Sequence, residues 1–179
     1  MMTNCRNKYC IEDARYTLDR TTDLINNCDT KSSIALGFVG VAMGILLSDN
    51  FIPKGITIIE NNLASLKFKA YLLFLCVIII AFALGVYFLF SVIFAKINKS
   101  KYNSKIFFTD ISSNKSLQDY KKIVVEQNED EMLDDLINQI YINAEICTDK
   151  YKRYRRGIKL IVFSVLTFLF ITAIFIFIL

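Results

Sequence analysis

Apolar side chains gather in three runs along the chain, Ile34 to Leu47, Ala70 to Ala95 and Leu160 to Leu179, and none contains a charged residue. A bilayer core of about 30 Å needs roughly 20 apolar residues in a helix, so the second and third runs are long enough to span it. The first reaches 17 uncharged residues, 32–48, once Ser32, Ser33 and Ser48 are counted, which is the lower end of the spanning range. Three transmembrane helices are therefore expected, at 32–48, 70–95 and 157–179. The expected fold is an all-α integral membrane protein.

Between the runs the pattern changes to helical amphipathicity. Ile11, Ala14, Leu18, Ile25 and Cys28 recur near a 3.6-residue period in a stretch without Gly or Pro, which predicts a helix before the first span. Residues 1–31 are read as this N-terminal segment and 49–69 as an external connection turning at Pro53 and Gly55. Residues 96–156 form the second polar segment. It opens with Lys96, Lys99, Lys101 and Lys105, then places Phe107 and Phe108 before Asp110, Ser112, Ser113 and Asn114, a short apolar anchor ending in a turn or cap. Helical spacing resumes at Leu117 and, after an acidic interruption, again from Glu131 through Leu133, Ile137, Ile140 and Ala144. No Gly or Pro intervenes before Gly157, so a polar helix is expected to run directly into the third span.

Lys and Arg set the orientation, because basic residues flanking spans are retained in the cytoplasm. Segments 1–33 and 96–159 carry 5 and 13 of them, 18 together, against 3 in 49–69. The N-terminus and the long polar segment are thus assigned to the cytoplasm of a multi-pass membrane protein. Composition agrees: 54% of residues are hydrophobic and the mean hydropathy is +0.42, too apolar for an ordinary soluble domain. Lys152, Arg153, Arg155 and Arg156, just ahead of the third span, suit anchorage to anionic headgroups of the lipid bilayer.

Candidate chemistry is sparse. The chain has five cysteines without a CxxC pair and no histidine, which removes the usual zinc spacings. With neither a metal constellation nor a nucleophile motif, no enzymatic activity, catalytic residue or resident cofactor is expected. The acidic run Glu129 to Asp135 reads as a solvated helix start. Gly37, Gly40 and Gly44 share one side of the first span, and such small residues let helix backbones approach closely. Two readings of that seam stay open: contact between copies in a homo-oligomer, or packing against the chain's own spans.

The segments CDTKSSIALGFVGVAMGILLS, KIFFTDIS and LINQIYINAEICTDKYKRYRRGIKLIVFSVLTF together resemble the transmembrane effectors of bacterial Pycsar antiphage systems. Asp29 and Lys31 ahead of a small-residue span, the Phe107, Phe108, Asp110, Ile111 block, and Gln139 followed by Lys150 and Tyr151 carry the likeness. The resemblance implies abortive antiviral defence, in which a companion nucleotide cyclase makes cyclic UMP or cyclic CMP and the effector then impairs the inner membrane. It further implies a ligand site improvised from helices. Phe107, Phe108, Asp110, Gln139, Lys150 and Tyr151 are its candidates, on the grounds that a nucleotide needs a cation, an aromatic and a polar edge reader. Nucleic acid is not an expected partner. The alternative is a membrane-anchored adaptor whose cytoplasmic helices dock a protein.

The orientation has a direct test. A fluorescent protein fused ahead of Met1 is expected to fluoresce, and alkaline phosphatase fused after Leu179 to be active. The inverse pair of results would reverse the topology.

Overall fold

A computed structural model of the protein describes residues 9–46, 65–94 and 104–178. The external connection with its Pro53 turn falls largely outside the described residues, as do Lys96, Lys99 and Lys101. Every described element is helical: α1 (Ile11–Leu46), α2 (Leu66–Ile93), α3 (Phe108–Ser112), α4 (Leu117–Val125) and α5 (Glu129–Ile178).

The helix starts follow local chemistry. Glu12 and Asp13 occupy the first turn of α1, where carboxylates complement the exposed amide dipoles, and Asp13 Oδ2 accepts from the Cys10 amide at 3.2 Å. Ser116 caps α4, accepting from the Asp119 amide at 3.1 Å while its hydroxyl donates to Asp119 Oδ2 at 2.8 Å. Asn128 Oδ1 accepts from the Glu131 amide at 2.8 Å at the head of α5; this side-chain acceptor fills the orphan donor that any helix start leaves. The sequence expectation of a helix restarting at Glu131 was thus two residues late. With no Pro and only one Gly after that start, α5 continues for 50 residues.

The chain divides into two compact units, one built from the described parts of Met1–Asn27 and Ala95–Lys150, the other from those of Cys28–Phe94 and Tyr151–Leu179. The division falls inside α1 and inside α5. In the first unit Ala14 and Leu136 are buried, and Asn143 Nδ2 of α5 donates to Thr22 Oγ1 of α1 at 3.4 Å.

In the second unit α2 and α5 meet at glycine. A Cβ on Gly157 would lie 2.9 Å from the Gly85 carbonyl oxygen and 3.0 Å from Leu89, and one on Gly85 would lie 2.8 Å from Ile161 Cγ1. The helices cross where neither has a side chain, which is how small residues bring helix backbones together in lipid. Leu89 and Val92 are fully buried beside this crossing. Most other large apolar side chains face outward, with Phe38 74% and Phe170 66% exposed, an arrangement a soluble surface disfavours and lipid accepts.

Two described helical stretches are long and apolar enough to cross a bilayer, Phe68–Ile93 and Glu129–Ile174, with mean hydropathies of 3.0 and 2.3 over their most apolar windows. The apolar end of α1 is not one of them. Beyond Lys31 only 32–46 is described, and two serines and three glycines dilute it. Gly37, Gly40 and Gly44 meet nothing within 4 Å, so the chain's own described helices do not pack on that stripe, and the intramolecular glycine contact belongs to Gly85 and Gly157 instead.

The contrast is testable by thermal unfolding in detergent. Gly157→Ala is expected to cost about 1–3 kcal/mol by overpacking against backbone, whereas Gly37→Ala, with open space around it, should be neutral or slightly stabilising.

Candidate functional site

The aromatic block folds as a tight turn feeding α3. The Phe107 and Phe108 rings sit 4.8 Å apart at 51°, with Phe108 63% exposed, so one aromatic face is open for stacking. Asp110 is engaged in the turn itself: its Oδ2 accepts from the Ser104 amide at 2.9 Å. Ser104 Oγ accepts from the Ile106 and Phe107 amides at 3.2 and 3.0 Å. Asn114 Nδ2 donates to the Asp110 and Ile111 carbonyls at 3.1 and 3.0 Å, closing the other end of this short helix.

Lys105 ties the turn to α4 and α5. Its amide donates to Asp135 Oδ2 at 2.8 Å, its ammonium to Glu131 Oε2 at 2.8 Å, and its carbonyl accepts from the Tyr120 hydroxyl at 3.0 Å. Sequence reading missed this anchorage. Glu131 and Asp135 looked like part of a solvated acidic start, yet their four-residue spacing puts both carboxylates on one helical face, the one that receives Lys105. That spacing was the available signal.

Gln139 continues the same face one turn further on. It is 4% exposed, and its Nε2 has no hydrogen-bond partner. Thr109 Oγ1 in α3 and Gln127 Nε2 are likewise buried without partners. Lys150 is 8% exposed and lies eleven residues, about three turns, beyond Gln139. Of the six residues predicted for a ligand, Phe107, Phe108, Asp110, Gln139 and Lys150 fall in the first unit and Tyr151 in the second. The structure joins the Phe107–Asp110 turn to the Gln139 face through Lys105 and Asp135. Lys152, Arg155 and Arg156 are exposed and Arg153 is half-buried. Burial pushes the Cys147 thiol above its ordinary pKa, with Lys150 pulling more weakly the other way. Among the described residues no cluster has the makings of a metal site. A shallow hollow of about 360 Å³ lies against Gln118, Lys121, Lys122, Val125 and Glu126, away from all six predicted residues in sequence.

The family model for the Pycsar effector protein domain matches residues 13–178. The chain belongs to the Pycsar effector family. It is 32% identical over 185 aligned positions to the Pycsar effector protein GmPycTM of Gulbenkiania mobilis, covering 93% of each chain. No solved structure matches. This Pycsar effector is thus a member of an antiphage defence family, and the match includes the Phe107–Asp110 turn, the Gln139 face and both long apolar stretches.

Tyr120→Phe is expected to remove one hydrogen bond and lower stability by about 0.5–1.5 kcal/mol. Amide exchange at Lys105 to Phe107 should accelerate selectively; unchanged protection there would mean that Tyr120 does not hold the turn.

Proposed function

We propose that this Pycsar effector is triggered by a cyclic pyrimidine mononucleotide, cyclic UMP or cyclic CMP, and acts by impairing the inner membrane. The ligand binds at the Phe107–Asp110 turn and the Gln139 face, with Phe108 stacking on the base. Three spans carry the response, the first being 32–48, with the N-terminus in the cytoplasm and Lys152, Arg153, Arg155 and Arg156 at the headgroups. A companion cyclase supplies the signal.

The observation that carries this reading is that a single unbroken helix, α5, bears both the face that holds the Lys105 turn and the apolar stretch that ends at Ile178. A helix without a flexible linker passes tilt or rotation along its length when two arrangements lie close in energy. The open Gly37, Gly40, Gly44 stripe supports assembly into a homo-oligomer, since copies brought together there meet no side chain of the same chain.

A second reading, an adaptor that docks a protein, draws on α4. That helix buries no residue and leaves Leu117 80% and Val125 74% exposed. Serine at both positions would abolish partner capture on this reading and leave membrane damage untouched on the first.

Cells expressing the protein are expected to lose membrane potential, followed with a potential-sensitive dye, when either cyclic nucleotide is supplied and to keep it otherwise. A signal that neither nucleotide changes would sink the proposal. Gly40→Ile should reduce oligomer size and toxicity together, and an unaltered oligomer would remove the glycine stripe from the assembly.

A further inference from the structure

Ser104 to Phe107 present four consecutive backbone N–H groups, and each is met by a side-chain oxygen. Asp110 Oδ2 takes the first at 2.9 Å, Asp135 Oδ2 the second at 2.8 Å, and Ser104 Oγ the third and fourth at 3.2 and 3.0 Å. The Lys105 amide alone is met from α5, the other three by Asp110 and Ser104 close in sequence. The Lys105 ammonium is held by Glu131 of the same helix at 2.8 Å. The two strongest acceptors at Lys105, amide and ammonium, are thus carboxylates that the chain brings from the neighbouring helix.

We infer that the Lys105 turn is an anion site that Asp135 and Glu131 occupy at rest and that the phosphodiester of an incoming ligand takes by displacing them. A cyclic mononucleotide carries one negative charge on that group, so it replaces an Asp135 carboxylate charge for charge. This inference deepens the nucleotide reading above and rests on it.

An independent observation points to the same place. Gln139, one turn beyond Asp135 on the same helical face, is 4% exposed and its Nε2 donates to nothing. Thr109 Oγ1, adjacent in sequence to Asp110, is buried and also unpartnered. A buried donor without an acceptor is costly, and a ligand with phosphate oxygens and base carbonyls supplies acceptors for both. The Glu131 side chain is 53% exposed and that of Lys105 24%, so an arriving anion reaches the ion pair from the Glu131 side.

Self-occupancy predicts an unusual sign. When a site is available only part of the time, the apparent dissociation constant is the intrinsic one divided by the available fraction. Weakening the resident carboxylate must therefore tighten binding, whereas weakening a ligand contact loosens it.

Full-length protein in lipid nanodiscs, titrated calorimetrically with cyclic UMP and cyclic CMP, tests this. Asp135→Asn keeps the side chain's size and drops its charge, and is expected to bind about five- to tenfold more tightly than wild type. Glu131→Gln, whose side chain is 53% exposed, should give a smaller gain. Lys105→Gln should bind about tenfold more weakly. Wild-type binding with no gain in either acidic variant would overturn this inference and leave the nucleotide reading intact. Wild-type protein that takes up neither nucleotide would overturn both.

Discussion

The Lys105 peptide is held from both sides, its amide by Asp135 of α5 and its carbonyl by Tyr120 of α4. That one peptide ties the turn ahead of α3 to both neighbouring helices. A turn of four residues has no hydrophobic core of its own, so its geometry is set by whatever satisfies its donors and acceptors. Here the carboxylates of Asp110 and Asp135 do so, and charge-assisted bonds to main-chain amides are shorter and stronger than neutral ones. The turn in turn orients Phe107 and Phe108 and starts α3. The family match across residues 13–178 covers this whole arrangement.

The second unit obeys a different physics. In lipid there is no hydrophobic drive between helices, so close packing has to come from shape. Gly85 and Gly157 supply it by letting α2 and α5 approach until a single Cβ would strike backbone or Leu89. Most of the remaining large apolar groups point away from the protein, as suits side chains facing acyl chains. Backbone polarity enforces the helical state of such segments, since an unsatisfied amide in hydrocarbon has no solvent to turn to. Through its basic stretch at 150–156 α5 continues for a different reason: no Gly or Pro precedes Gly157 to break it.

Much of the fold was legible in the sequence. Apolar runs above the spanning length, period-3.6 patterning and the lack of Gly or Pro between Glu131 and Gly157 announced α2 and α5, because these signals are local and additive. The site was legible in part. Phe107, Phe108 and Gln139 drew notice as residue types a nucleotide requires, but Lys105, Tyr120, Glu131 and Asp135 did not, because their partners lie 15 to 30 positions away. Asp110 was read as a ligand candidate, and the fold employs it to close the turn.

The glycines show the limit most clearly. The Gly40 to Gly44 spacing advertised a packing seam, whereas Gly85 and Gly157, separated by 72 positions and each alone in its run, advertised nothing. By itself the sequence determined which stretches are helical, which are apolar enough to suit lipid and to which family the chain is similar. Only the tertiary structure decided which glycines meet and which carboxylates hold the Lys105 turn. Periodicity records the environment of one segment, while a contact depends on where two segments come together.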